Sequence, residues 1–148
     1  LRWIREVVLP SLGRGLAESS RSRDDFHLCL AVCCAIGSDL PAARRAAAAT
    51  IAFYATVNTY EPLFSGFPAE VQRIQAALMR GDTDGMIDAV SDEMVEAFAV
   101  VGTPDEARRK LAAYGDLADS ICLTPPDQLI DPAETERYRE ALLTTFGR

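Results

Sequence analysis

The residues of this chain best suited to chemistry are its four cysteines, Cys29, Cys33, Cys34 and Cys122, and its single histidine, His27. On an extended segment His27, Cys29 and Cys33 fall in one row on one face, and Cys34 points to the other. A metal centre needs three or four ligands that converge, and a row does not converge, so no metal site is expected. A catalytic thiolate needs a helix N-terminus or a cationic pocket beside it, and neither marks these thiols. They read as small buried hydrophobes of a protein kept in a reducing, cytoplasmic compartment. Asp92, Glu93 and Glu96 could work as an acid–base pair, but a solvated acidic helix face is the plainer reading. Arg44-Arg45 and Arg108-Arg109-Lys110 read as solvent faces in the same way, with Asp105→Arg109 and Glu106→Lys110 as i, i+4 pairs worth about 0.3 kcal/mol each.

A second set of candidates lies in loops. Gly102-Thr103-Pro104 joins an apolar run to a helix start, where free backbone N–H groups and a positive dipole end can hold an anion. One glycine is not a phosphate fingerprint, so simple capping is the competing reading. Ser38 and Thr124 follow the other two apolar runs. In a parallel α/β fold such loops gather at the end of the sheet where ligands bind, so Ser38, Gly102, Thr103 and Thr124 are rim candidates as a group. Tyr54, Asn58 and Tyr60 form a polar-aromatic patch near a helix end, where Tyr54 and Asn58 are candidates for a pocket wall.

The elements that must position these residues are legible as patterns. Residues 1–20 read as helix, with Ile4, Val7, Val8 and Leu12 near helical spacing and a kink or restart at Pro10. Phe26 to Ile36 is apolar on both pleat faces, as a parallel strand covered on both sides would be. One of its faces carries Phe26, Leu28, Leu30, Val32 and Cys34. The other carries His27, Cys29, Ala31, Cys33 and Ala35, small enough for a barrel interior or a tight helix contact. Helices are expected over 42–60, alanine-rich, over 69–80, and in pieces over 86–98 with Ser91 as a cap. Ala99–Gly102 is a short strand. Thr103-Pro104-Asp105-Glu106 opens the next helix with a hydroxyl cap, a proline and a capping glutamate, running to about Tyr114. Ser120–Leu123 is a third strand, and Asp131-Pro132 opens a last helix carrying Tyr138, Leu142 and Phe146. If the sheet ends with these strands, the first has an exposed edge and a bare face, which assembly or further strands would cover.

The chain's 148 residues suffice for one domain and fall short of the roughly 250 of a complete (β/α)₈ barrel. A net charge of −7 argues against nucleic-acid and anionic-membrane partners. No run approaches the length of a membrane span, and no secretory leader opens the chain. It does not begin with methionine, so it reads as processed, excised or given without its start. No repeat or linker divides it, and residues 1–148 read as a single unit.

Phe98 to Ala107, continued by Tyr114-Gly115-Asp116 and by Asp119 to Pro126, resembles the late βα turn of the luciferase-like monooxygenases. Pro10 to Leu16 is similar to the helix before that family's sixth strand, and Ala42-Ala43-Arg44-Arg45 with Phe53-Tyr54 to the helix after it. The resemblance implies a partial (β/α)₈ TIM barrel, its last three or so βα units, helix-rich with a short parallel sheet. It implies an oxidoreductase using FMN or a deazaflavin coenzyme on a small organic substrate, by hydride transfer or monooxygenation. It further implies a dimer, and places Ser38, Gly102, Thr103 and Thr124 on the catalytic rim. No residue here matches the family's catalytic base or phosphate grip, so the catalytic residues stay unassigned. Two other readings stand beside it: a helical ligand-binding or dimerisation module without catalysis, and an inactive half-barrel that serves as an assembly subunit.

Overall fold

Proline and short polar side chains decide where the helices of this chain start. A computed structural model describes residues 1–147. A single π-type turn, Ile4–Val8, runs into α1, Leu9–Glu18, with Pro10 in the first turn of α1, where a missing N–H costs nothing. Ser22 and Asp25 form a capping box around the 3₁₀ turn Arg23–Asp25. Strand β1 is Cys29–Ile36, so Phe26, His27 and Leu28 of the expected strand lead into it without belonging to it.

Helix α2, Leu40–Tyr54, starts at Asp39, whose Oδ1 accepts from the N–H of Ala42 at 3.1 Å. It stops at Tyr54, earlier than the expected residue 60. The chain turns extended at Val57 and re-forms as a 3₁₀ turn, Asn58–Phe64. The last turn tightens there: the N–H groups of Thr56 and Val57 donate to the carbonyls of Phe53 and Tyr54, three residues back, and the Thr56 hydroxyl donates to Phe53 O at 2.7 Å. Helices α3, Pro68–Met79, α4, Thr83–Asp88, and α5, Asp92–Phe98, follow, and the Ser91 hydroxyl caps α5. Strand β2, Ala99–Gly102, leads to α6, Pro104–Ala112; strand β3, Ser120–Thr124, leads to α7, Pro132–Phe146.

The three strands are parallel, in the order β2-β1-β3. The first strand is therefore central, and the exposed outer edges belong to β2 and β3. This corrects the expectation of a first strand at the edge. A parallel crossover is right-handed, so β1→α2→β2 and the reverse-direction β2→α6→β3 place their helices on opposite faces of the sheet. On one face Ala35 and Ala99 pack with the alanines of α2, among them Ala43, Ala46 and Ala47, and with Met94 and Val95 of α5. On the other, Val32, Cys34, Ile36 and Val100 pack with Ala107 and Leu111 of α6 and Leu142 of α7. The upper half of β1 thus has both faces covered, and its small-residue face serves a close helix contact.

Candidate functional site

The loops after β1 and β2 meet at one end of the sheet. Ile36 lies opposite Gly102, and the N–H of Gly37 donates to Gly102 O at 3.1 Å. This gathers Ser38, Gly102 and Thr103. Thr124 does not join them. Its register partner is Cys33, three residues below Ile36, or about 10 Å along the strand.

The helix N-terminus at Thr103 already holds a carboxylate. The Thr103 N–H donates to Glu106 Oε2 at 2.8 Å, and the Thr103 hydroxyl reaches the same oxygen at 2.9 Å. These bonds hold the Glu106 carboxyl below its ordinary 4.5, the backbone bond contributing most. A Cβ on residue 102 would sit 2.8 Å from Glu106 Cβ and 3.0 Å from its Oε2, so glycine there makes room for the cap. At the other loop the Asp39 carboxylate caps α2. The expected i, i+4 pairs of α6 do not form. Asp105 takes Arg108 instead, and Lys110 reaches Glu96 at 3.1 Å and the Val101 carbonyl at 3.0 Å, because Glu106 is committed to the cap. Arg44 pairs with Asp92, and Arg45 bridges to Asp84 and Asp88 of α4, so the basic pair of α2 ties helices together across the surface.

Thr124 belongs with Tyr54. Both line a cleft of about 580 Å³, together with Cys33, Thr50, Tyr60 and Asp127. Thr50, 4% exposed, is a buried polar residue of the core, and its Oγ1 accepts from the N–H groups of Asp127 (3.1 Å) and Gln128 (3.3 Å). That anchors the loop after β3 onto α2. Burial pushes the Tyr54 phenol up from 10.0, with Asp127 adding to it. Burial also pushes the Cys33 thiol up to about 12 and the Cys34 thiol up to about 11. Asn58 lies apart, in a separate hollow of about 290 Å³ with Glu61, Gln72 and Gln75. The pairing of Thr50, Tyr54, Thr124 and Asp127 was missed in the sequence; Thr50 inside an alanine run was its one local signal.

His27 Nε2 is 2.9 Å from Ser120 Oγ, at the start of the sheet. Asp119 accepts from the Leu28 N–H and from Arg23, both at 2.7 Å, and clasps that end. Among the described residues no group of three or more His, Cys, Asp or Glu side chains could hold a metal ion. No described helix is long and apolar enough to cross a membrane.

A (β/α)₈ barrel sets its strands in chain order, so the family match and the superposition, rather than the strand order, assign this helix-rich fold of three parallel βα units to part of one. The family model of the luciferase-like monooxygenases matches residues 4–120, and the chain belongs to that family. It is 36% identical over 112 residues to an uncharacterised Mycobacterium tuberculosis protein, covering 70% of this chain and 32% of that one. It is 30% identical over 112 residues to the 5,10-methylenetetrahydromethanopterin reductase of Archaeoglobus fulgidus, covering 72% and 34%. The chain spans about a third of the length of the curated relatives it matches. The solved coenzyme F420 dependent tetrahydromethanopterin reductase of Methanopyrus kandleri superposes with a TM-score of 0.69 at 22% identity, over 95% of this chain and 42% of that one.

Proposed function

We propose that this chain acts as the C-terminal portion of an oxidoreductase that transfers hydride between a deazaflavin coenzyme and a small organic substrate. The family match over residues 4–120 carries the reading, and the names of the reductase relatives favour coenzyme F420 over FMN. When bound, the coenzyme supplies the hydride chemistry; the protein supplies position and dryness. The two helix N-termini at the rim each give one backbone N–H to a carboxylate of their own, Thr103 to Glu106 and Ala42 to Asp39, which leaves fewer donors and an added negative charge for a coenzyme phosphate to meet. A second anion beside the Glu106 carboxylate would be repelled. Ser38, Gly102 and Thr103 are therefore proposed as shape-giving rim residues, and Tyr54 and Thr124 as walls, with the phosphate grip elsewhere in the working enzyme. Asn58, in its own hollow, drops out of that wall.

The test is a chimera: this chain in place of the segment it superposes on in the Methanopyrus kandleri reductase. The expected result is a folded protein that binds coenzyme F420 in preference to FMN. A folded chimera that binds neither contradicts the proposal. The capped rim also favours a second reading, in which this chain is an inactive assembly subunit. The same chimera separates the two, since a mere assembly piece restores folding without restoring coenzyme binding.

A further inference from the structure

Thr50 and Tyr54 lie four residues apart on α2, so their side chains stand one turn apart on the same face of the helix. The loop after β3 is fastened to that face. Two successive N–H groups, of Asp127 and Gln128, donate to the Thr50 hydroxyl oxygen at 3.1 and 3.3 Å, and Pro126 beside them is fully buried. The backbone of Asp127 is thereby fixed about one helical turn from Tyr54. Its carboxylate acts across that gap. After burial, Asp127 is the largest cause that pushes the Tyr54 phenol up from 10.0, ahead of Tyr60 and Cys33.

Tyr60 stands beside Tyr54, the two rings edge to face with centres 5.1 Å apart. The ring that gives its edge in such a pair keeps its own faces free of the other ring. Tyr60 is 40% exposed, and Asp127 takes part in no ion pair among the described residues. A carboxylate with no cation of its own, set beside phenol rings, is complementary to one kind of group: a positively charged nitrogen. The carboxylate attracts the charge, and ring faces attract it through their quadrupole. Thr50 supplies none of this attraction. Buried, it decides where the carboxylate stands.

Resting on the reading of Tyr54 as a wall of the proposed hydride-transfer site, we propose that Asp127 selects a substrate that carries a protonated or quaternary nitrogen, and that Thr50 is the positioning residue that holds Asp127 there. An uncharged analogue of the same shape loses the attraction of Asp127, and an anionic one meets repulsion. The chain's net charge of −7 acts in the same sense at longer range.

The probes are choline and its carbon isostere, in which a tert-butyl group replaces trimethylammonium, so that shape is kept and charge removed. Each is titrated into the folded chain without coenzyme, and the ring signals of Tyr54 and Tyr60 are followed by NMR. Choline is expected to shift them saturably in the millimolar range, and the neutral isostere to bind at least about threefold more weakly. Asp127→Asn should remove that preference and lower the pH at which Tyr54 ionises. Thr50→Val, which keeps the side chain's shape and removes the acceptor, should do both, and Thr50→Ser should keep the natural behaviour in both. Thr50→Ala takes its place should Thr50→Val not fold. Equal binding of the two probes overturns the proposal, as does the lack of a saturable shift with choline. So does a folded Thr50→Val or Thr50→Ala chain whose preference and Tyr54 ionisation are unchanged. No coenzyme enters the titration, so its outcome and the coenzyme binding of the chimera succeed or fail independently.

Discussion

At the scale of single residues, Thr103 and Glu106 act as a unit. Thr103→Ala should cost about 1 kcal/mol of stability, read by urea unfolding, because α6 loses its hydroxyl cap. The pH dependence follows from Glu106. Its folded carboxyl titrates below its ordinary 4.5, so the unfolded chain takes up the proton first as pH falls. The stabilisation is present above 4.5 and is lost as pH falls through the lower, folded value. The natural chain should therefore lose more stability between neutral pH and the acid range than Glu106→Gln does. Equal losses would separate Glu106 from acid stability. Thiol reactivity gives an independent check. Cys33 and Cys34 are held protonated, with values pushed up to about 12 and 11, while Cys29 and Cys122 are exposed. An aromatic disulfide reagent should label two thiols in the folded protein and all four after unfolding. Fast labelling of Cys34 would contradict its burial.

At the scale of elements, α2 and its neighbours set the limits of change. Ala47 is fully buried against the sheet, so Ala47→Leu should cost about 1–3 kcal/mol by overpacking, measured by thermal or urea unfolding. Thr50→Ala leaves the N–H groups of Asp127 and Gln128 without their acceptor and should cost about 1–3 kcal/mol, with faster amide exchange at those two positions. Much of this level was legible in the sequence, because caps and periodicity are local. Thr103-Pro104-Asp105-Glu106, Ser91 and Asp131-Pro132 start helices where their side chains required. The end of α2 at Tyr54 was not legible, since no glycine or proline stands between Ala55 and Tyr60 to mark it. The rearrangement of the ion pairs of α6 was hidden for a related reason: Lys110 reaches Glu96 across elements, while spacing along the chain shows only partners on the same helix.

At the scale of the whole molecule, pairing between distant segments decides what residue patterns cannot. The sequence shows three parallel strands but not their order. The order β2-β1-β3 makes the first strand central and divides the helices between two faces. It also lowers Thr124 by three residues relative to the loops at Ser38 and Gly102, so one expected rim becomes a rim and a separate cleft. The central proposal rests on that geometry and on the caps: we propose that this chain supplies walls, while the helix N-termini at its rim each give a backbone N–H to a carboxylate of their own, Glu106 and Asp39. The most direct test is an equilibrium fluorescence titration of the folded chain alone with coenzyme F420 and with FMN. The account expects no saturable binding of either in the micromolar range. Saturable micromolar binding of either coenzyme would contradict it and return the phosphate grip to these loops.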